Sequence, residues 1–194
     1  EFQVNTSTLS SQDTPSIAGL NSGGFVVTWE SWNQDGDENG VYAQMYNQNG
    51  NNIGIEFLVN TYTAGYQDNP DVAALNNGGF VVSWRSYNQD GDNYGIYAQI
   101  YNENGDAVGG EFQINTHILD SQEGTNIVVL SNGNFIISWS SNQQDADARG
   151  VFAQMYDTNG STLGLEFQIN TYMPNNQGRS DITALNDGGF VATW

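Results

Sequence analysis

The sequence contains no cysteine, and histidine occurs once, as His117, among its 194 residues. Without cysteine the chain cannot form disulfides, use a thiolate nucleophile or build cysteine-ligated zinc and iron–sulfur sites. With a single histidine, no Ser/His/Asp or Cys/His arrangement for nucleophilic catalysis is evident. These absences exclude several classes of enzyme and of metalloprotein.

Basic residues are also nearly absent, since the chain has no lysine and three arginines against 22 acidic residues. The formal net charge is −19 at pH 7, and a surface of this charge repels phosphate backbones and anionic membranes. No apolar run approaches the roughly 18 residues that suggest a membrane span. We therefore expect neither a nucleic-acid partner nor membrane insertion, whereas divalent cations, cationic proteins and neutral glycans remain compatible with the sequence.

The most abundant feature of the sequence is repetition with a period of 55 residues. The motif EFQVNT at Glu1 returns in closely similar form at Glu56, Glu111 and Glu166. Tandem units of this size indicate a solenoid, a propeller or an array, in which neighbouring units share a core. We predict one repeat array over 1–194. It comprises three full repeats, 1–55, 56–110 and 111–165, and a partial one, 166–194.

Each repeat has the pattern of four short strands. In the first, apolar stretches at 2–4, 17–20, 25–29 and 41–46 alternate with turn sequences, and an Asn-Gly pair at 49–50 predicts a tight hairpin. A solenoid needs a shorter period and a string of β-sandwiches a longer one. The sequence thus predicts an all-β fold, a β-propeller built from four-stranded antiparallel blades over about three and a half 55-residue repeats.

The partial last repeat stops on the apolar segment GGFVATW, before the strand that should follow it. An apolar strand at the edge of a sheet tends to pair with another chain. We therefore expect the chain to be a fragment of a larger propeller or half of one, completed by further repeats or by self-association. Two such chains would supply about seven blades, within the range of closed propellers.

Two connections in each repeat are long, at 6–14 and 30–39 in the first, and the other two are tight hairpins. Because the strands of a blade alternate in direction, both long connections open on the same face. This loop-rich, acidic face is where we expect a protein or glycan ligand to bind.

An acidic turn in the second long connection fits the first half of a calcium-binding loop, D-x-[DN]-x-[DN]-G. Alternating side-chain oxygens can converge there because glycine permits a sharp turn. The predicted calcium ligands are Asp35, Asp37, Asn39, Asp90 and Asp92. The third repeat has Arg149 at the third ligand position, where its charge would oppose a cation. The alternative is a solvated acidic turn, because Asp and Gly form turns in any protein.

Four residues near this turn are candidates for sugar binding. Trp32 and its counterpart Tyr87 lie beside the acidic residues, and Gln34 and Gln89 directly precede them. An aromatic ring can stack on the C–H face of a sugar while amides hydrogen-bond its hydroxyls. The alternatives are partly buried aromatic rings and amides that bind the backbone of an adjoining loop.

The pattern EFxVNT, GGFVVxW and QDGD with GxYAQ covers the whole chain and resembles a repeat of long bacterial surface and secreted proteins. Many of those proteins also carry cadherin-like or haemolysin-type calcium-binding modules, so the resemblance implies adhesion at or outside the cell surface. Because no acidic pair differs clearly from its copies, we predict no enzymatic activity. The predicted function is a non-catalytic extracellular binding or adhesion module, with loops ordered by calcium. The alternatives are a carbohydrate-binding lectin and a structural spacer or filament subunit.

Overall fold

The structure is a computed structural model that describes residues 1–145 and 147–194. Its strands form antiparallel sheets, one for each repeat. The first sheet consists of β1 (Gln12–Gly19), β2 (Phe25–Trp32), β3 (Asn39–Tyr46) and β4 (Asn52–Leu58). The second consists of β5 (Gln67–Ala74), β6 (Phe80–Tyr87), β7 (Tyr94–Tyr101) and β8 (Ala107–Gln113).

The third sheet consists of β9 (Gln122–Val129), β10 (Phe135–Asn142), β11 (Arg149–Tyr156) and β12 (Phe167–Gln168). The partial repeat forms the two-stranded sheet of β13 (Asp181–Ala184) and β14 (Phe190–Thr193). In each full sheet the strands pair in chain order, and the first strands of successive sheets lie side by side. This arrangement confirms the predicted all-β propeller with four-stranded antiparallel blades.

The tight hairpins form where the turn residues predict them. Gly50, in the turn between β3 and β4, adopts a φ of 76°, which favours glycine because it has no Cβ. The Asn47 side chain accepts hydrogen bonds from the Asn49 and Asn51 amides at 2.9 and 3.1 Å. The predicted Asn-Gly hairpin is therefore present, and it keeps the face opposite the long loops compact.

Tryptophan packing joins neighbouring blades. Trp84 is fully buried and belongs to a cluster that includes Val26 and Val41 of the first blade. Trp139 is equally buried and packs in a cluster with Ile96 of the second blade. Burying an aromatic side chain of this size contributes about 3–5 kcal/mol, judged by its removal. Separate apolar clusters between successive blades therefore hold them together.

The inner strands β1, β5 and β9 contain a bulge, which the sequence-based prediction missed. Register shifts lie between Asp13 and Ser16 in the first blade and between Asp68 and Asp71 in the second. One residue inside each bulge has a left-handed backbone: Thr14, Asn69, Gly124 and, just ahead of β13, Arg179, with φ of 46°, 51°, 68° and 57°. The extra residue allows pairing to continue upstream, so β1 begins at Gln12 and not at residue 17 as predicted.

Within the described residues, no helix is long and apolar enough to cross a membrane.

Candidate functional site

A central cavity of about 420 Å³ lies between the inner strands of all four repeats. Each repeat lines it with residues at or next to its bulge. The lining includes Thr14, Ser16, Asn69, Asp71, Asn126 and Arg179. Because equivalent positions carry different side chains in each repeat, this cavity is asymmetric although the blades around it are alike.

Asp71 is a cavity residue whose equivalents differ between repeats: Ser16 in the first, Asn126 in the third and Asp181 in the partial fourth. Its carboxylate accepts hydrogen bonds from the Ser16 hydroxyl at 2.8 Å and from the Ile127 amide at 2.8 Å. Burial raises the pKa of Asp71, and the negative charge of Asp181 adds to that rise. The group therefore joins three inner strands and holds a proton more readily than an exposed aspartate.

Four aromatic residues form a strip on the loop-rich face, and we call Trp32, Tyr66, Tyr87 and Tyr94 the aromatic strip. Trp32 packs against Tyr66 of the next blade with ring centroids 6.0 Å apart. The Tyr87 amide donates to the Tyr66 carbonyl at 2.8 Å, and the Tyr87 ring meets the edge of Tyr94 at 5.2 Å. Trp32 and Tyr87 are each 41% exposed, so part of each ring faces solvent.

The aromatic strip ends at a second cavity. The Arg85 guanidinium lies over the Tyr94 ring, 4.4 Å from its centroid, as a cation–π contact. Arg85 also lines a side cavity of about 300 Å³ that shares Asn69, Gly124 and Arg179 with the central cavity. The strip, the side cavity and the central cavity therefore adjoin one another.

The predicted ligand-binding glutamines make intramolecular hydrogen bonds. The Gln34 amide donates to the Glu56 carboxylate, and the Gln89 amide donates to the Glu111 carboxylate. Glu56 and Glu111 also accept backbone amides from the preceding repeat. These two glutamines therefore hold the acidic turn to the outer strand of their own blade, and their part in ligand binding stays a prediction.

The second aspartate of each acidic turn reaches the following blade. Asp37 accepts the Gly65 amide at 3.0 Å, and Asp92 accepts the Asp120 amide at 3.0 Å. Gly65 and Asp120 have left-handed φ of 72° and 59°, so each amide belongs to a tight turn ahead of an inner strand. These carboxylates act as contacts between blades.

The first aspartate of each turn has a different hydrogen-bonding environment in the first and second repeats. Asp90 accepts a hydrogen bond from the Gln113 side chain at 3.0 Å. In the first repeat Leu58 takes the place of this glutamine, and the buried Oδ2 of Asp35 has no hydrogen-bond partner. Burial raises the pKa of both Asp35 and Asp90.

Asn39 begins β3, and its side chain donates to Glu30 at 3.4 Å. Across the described residues, no group of three or more His, Asp or Glu side chains is placed to hold a metal ion. Calcium binding by the acidic turns therefore stays a prediction, as do adhesion and location at the cell surface.

No protein-family model and no curated protein matches the chain. Solved structures do resemble it. An endo-arabinase from Bacteroides thetaiotaomicron VPI-5482 has a TM-score of 0.57 at 11% identity, and the match covers 98% of this chain and 73% of the endo-arabinase. A protein of unknown function from Dyadobacter fermentans DSM 18053 has a TM-score of 0.63 at 12% identity, covering 93% of this chain and 61% of that one.

A thermostable family-43 glycoside hydrolase is also similar, with a TM-score of 0.53 at 12% identity, and the match covers 90% of this chain and 62% of the hydrolase. At these identities the similarity concerns the fold. The chain spans less than two thirds of the length of the second and third of these proteins.

The prediction that the chain has no enzymatic activity is wrong as it was argued. Two of the similar structures are an endo-arabinase and a glycoside hydrolase, so this fold does support catalysis. The acidic residues of the repeats are also not all alike, because Asp71 has an aspartate, Asp181, at the equivalent position of the partial repeat but serine and asparagine in the first and third repeats. A repeated blade can therefore carry a group that is present in only some of its copies.

Sequence reasoning missed most of the residues around the cavities, including Asp71, Arg179, Tyr66 and Tyr94. For Arg179 a signal was present, because aligning the repeats shows four unlike side chains at its position: Thr14, Asn69, Gly124 and Arg179.

Proposed function

We propose that this propeller binds carbohydrate, with a glycan lying along the aromatic strip and reaching the central cavity. The observation that supports the proposal is the continuity of the two features. Exposed rings of neighbouring blades lead to Arg85, and Arg85 borders a polar cavity that adjoins the central one. The named activities of the endo-arabinase and the family-43 glycoside hydrolase fit a carbohydrate ligand for this fold.

The chemistry of the two regions suits the two kinds of surface that a sugar presents. The C–H faces of a sugar stack on aromatic rings, as the half-exposed Trp32 and Tyr87 allow. Its hydroxyls need donors and acceptors, and the central cavity offers the Thr14 and Ser16 hydroxyls and the Asn69 amide. A glycan could therefore satisfy both surfaces in one extended pose.

Replacing the aromatic side chains tests this proposal. We expect Trp32→Ala and Tyr87→Ala each to weaken glycan binding about tenfold, because each removes a stacking surface worth about 1–2 kcal/mol. Binding would be identified on a glycan array and then measured by calorimetry. Tyr172→Ala is the matched control, because Tyr172 is an exposed aromatic residue outside the aromatic strip. Equal losses in all three variants, or no binding to any glycan, would contradict the proposal.

A second candidate function is hydrolysis of a glycosidic bond in the central cavity. Asp71 favours it, because burial raises its pKa, and a carboxyl that holds its proton can donate it to a leaving oxygen. The charge of Asp181 influences Asp71, so a second carboxylate is available nearby. Glycoside hydrolysis commonly uses two carboxyl groups in these roles.

Hydrolysis can be tested separately from binding by measuring the release of reducing ends from arabinan and xylan. We expect Asp71→Asn to lower the rate by about 10²–10⁴-fold, since it removes the proton donor, and to leave the affinity within a few-fold. Asparagine stands at the equivalent position 126, so the variant suits the strand. Asp106→Asn, in an exposed hairpin, is the control. If the Asp71→Asn variant released reducing ends at an undiminished rate, Asp71 would not be the general acid.

A further inference from the structure

All three basic side chains of the chain line the side cavity. Arg85, Arg149 and Arg179 come from three different repeats and border one space of about 300 Å³. The rest of the molecule carries 22 acidic residues and no lysine. The side cavity is thus the place in this acidic protein where an anion meets concentrated positive charge.

The repeats differ at the position that supplies a carboxylate to these arginines. The position holds Asp13, Asp68, Glu123 and Gly178 in the four repeats. Asp68 pairs with Arg85, and Glu123 pairs with Arg149 at 3.1 Å and lies 3.8 Å from Arg85. In the fourth repeat a glycine stands where the preceding repeats have an acid. One carboxylate of the pattern is therefore missing.

An arginine follows directly where the acid is missing. Arg179 is exposed and borders both the side cavity and the central cavity. No Asp or Glu among the described residues lies within 4.0 Å of its guanidinium. Its backbone has a φ of 57°, the left-handed conformation that the equivalent residues Thr14, Asn69 and Gly124 also adopt.

Gly178 also keeps the space beside Arg149 open. A Cβ atom at residue 178 would lie 3.0 Å from the Arg149 Cδ and 3.0 Å from the Ser140 Oγ. A methyl group needs only a small adjustment of these side chains. A carboxylate there would enter an adjoining cavity of about 420 Å³, which Gly178 lines and which shares Arg149 and Arg179 with the side cavity.

We propose that the side cavity binds the carboxylate of an acidic sugar, a uronic acid within a glycan. The ligand carboxylate takes the place that the Asp68 and Glu123 side chains take in the preceding repeats. A guanidinium matches a carboxylate with two parallel hydrogen bonds, which favours a carboxylate over a neutral hydroxyl. The inference rests on the proposed carbohydrate binding and adds the class of sugar.

The overall negative charge does not prevent this binding if the ligand is short. At an ionic strength of about 0.1 M, charges more than about 10 Å away are largely screened. A disaccharide or trisaccharide with one or two carboxylates therefore responds mainly to the arginines beside it. A long polyuronate also meets the acidic loops, so we expect weaker binding per residue.

The test compares trigalacturonate with its fully methyl-esterified form by calorimetry in about 0.1 M salt. Esterification removes the charge and keeps the ring, so we expect at least about tenfold weaker binding. Arg179→Asn should lose a similar factor for the acid form and little for the ester. Asparagine occupies the equivalent position 69 with a left-handed backbone, so this variant should keep its melting temperature.

A pair of variants at residue 178 provides the matched control. Gly178→Asp supplies a carboxylate from the protein and should reduce trigalacturonate binding at least tenfold, whereas Gly178→Ala adds a methyl group and should retain it within a few-fold. If Gly178→Asp proves unfolded by circular dichroism, Arg179→Asn alone decides. A sulfated trisaccharide is included, and binding of the sulfated ligand in preference to the uronate would overturn the choice of carboxylate.

The outcomes separate the inference from the function beneath it. Equal affinity for acid and ester, or an Arg179→Asn variant that binds the acid normally, overturns the carboxylate site and leaves carbohydrate binding intact. Binding of neutral glycans without binding of acidic ones would likewise overturn the carboxylate site and leave carbohydrate binding intact. If neither acidic nor neutral glycans bind, both carbohydrate binding and the carboxylate site are contradicted.

Discussion

A single substitution between repeats changes the surroundings of a buried carboxyl group. Gln113 donates to Asp90 in the second repeat, whereas Leu58 stands in the equivalent place beside Asp35. The Oδ2 atom of Asp35 is consequently buried without a partner. Equivalent residues of a repeat can therefore differ in their hydrogen-bond partners although their burial is similar.

Exchanging these partners should move the pKa of each aspartate in a known direction. We expect Leu58→Gln to lower the pKa of Asp35, because an amide donor stabilises the ionised carboxylate. The reciprocal change, Gln113→Leu, should raise the pKa of Asp90. Carbon-detected NMR titration of the carboxyl groups measures both, with Leu58→Met as a control for altered packing. A pKa of Asp35 unchanged by Leu58→Gln would show that the amide does not reach it.

The second aspartate of each acidic turn connects its own blade to the loop that leads into the next blade. Asp92 belongs to the turn between β6 and β7 and accepts an amide 28 residues further along, at Asp120. The same contact recurs at Asp37 and at Asp147, with Gly65 and Asn175 as donors. The acidic turns thus fix the loops that lead into the next inner strand.

Removing one of these contacts should destabilise the fold. We expect Asp92→Ala to lower the free energy of unfolding by about 1.5–3 kcal/mol, the range for a hydrogen bond to a charged group. Urea denaturation measures the change, and Glu103→Ala, which removes an exposed charge of the same sign, is the control. If calcium instead uses Asp92 as a ligand, the loss will appear only when calcium is present and will vanish with a chelator.

The blade could be predicted from the sequence, whereas the cavities could not. Turn residues and apolar alternation are local, so the strand order and the Asn-Gly hairpin follow from one repeat. The bulge breaks the alternation at Thr14 and Pro15, and among its copies Asn69 and Gly124 are the residue types that favour a left-handed backbone. The meeting of Arg85, Arg149 and Arg179 depends on how blades are placed around the cavity, which a periodic sequence does not encode locally.

At the scale of the whole molecule, the excess of negative charge lowers the stability of the folded state at neutral pH. The formal net charge is −19, and burial raises the pKa of Asp35, Asp71 and Asp90. Between the ordinary aspartate pKa and these raised values, the folded state binds more protons than the unfolded state. The free energy of unfolding therefore decreases as the pH rises through the raised values.

We expect the melting temperature to increase as the pH is lowered from neutral towards the raised pKa values of Asp35, Asp71 and Asp90, because these carboxyl groups gain protons and the self-repulsion of the folded chain weakens. Calorimetry at several pH values measures this. Added salt at pH 7 should raise the melting temperature as well, since it screens the repulsion. The Asp71→Asn variant should show a shallower pH dependence than Asp106→Asn. A melting temperature that falls steadily on acidification would contradict the expectation.

The bulge in the inner strand makes this propeller easy to diversify. Because the extra residue lies outside the regular pairing, its side chain can be exchanged with little effect on the hairpins on either side. Thr14, Asn69, Gly124 and Arg179 show four different choices on one backbone. Duplication of a single blade followed by substitution at this one position can therefore change the lining of the central cavity in few steps. A small library of variants could be made at this position with the rest of the scaffold unchanged.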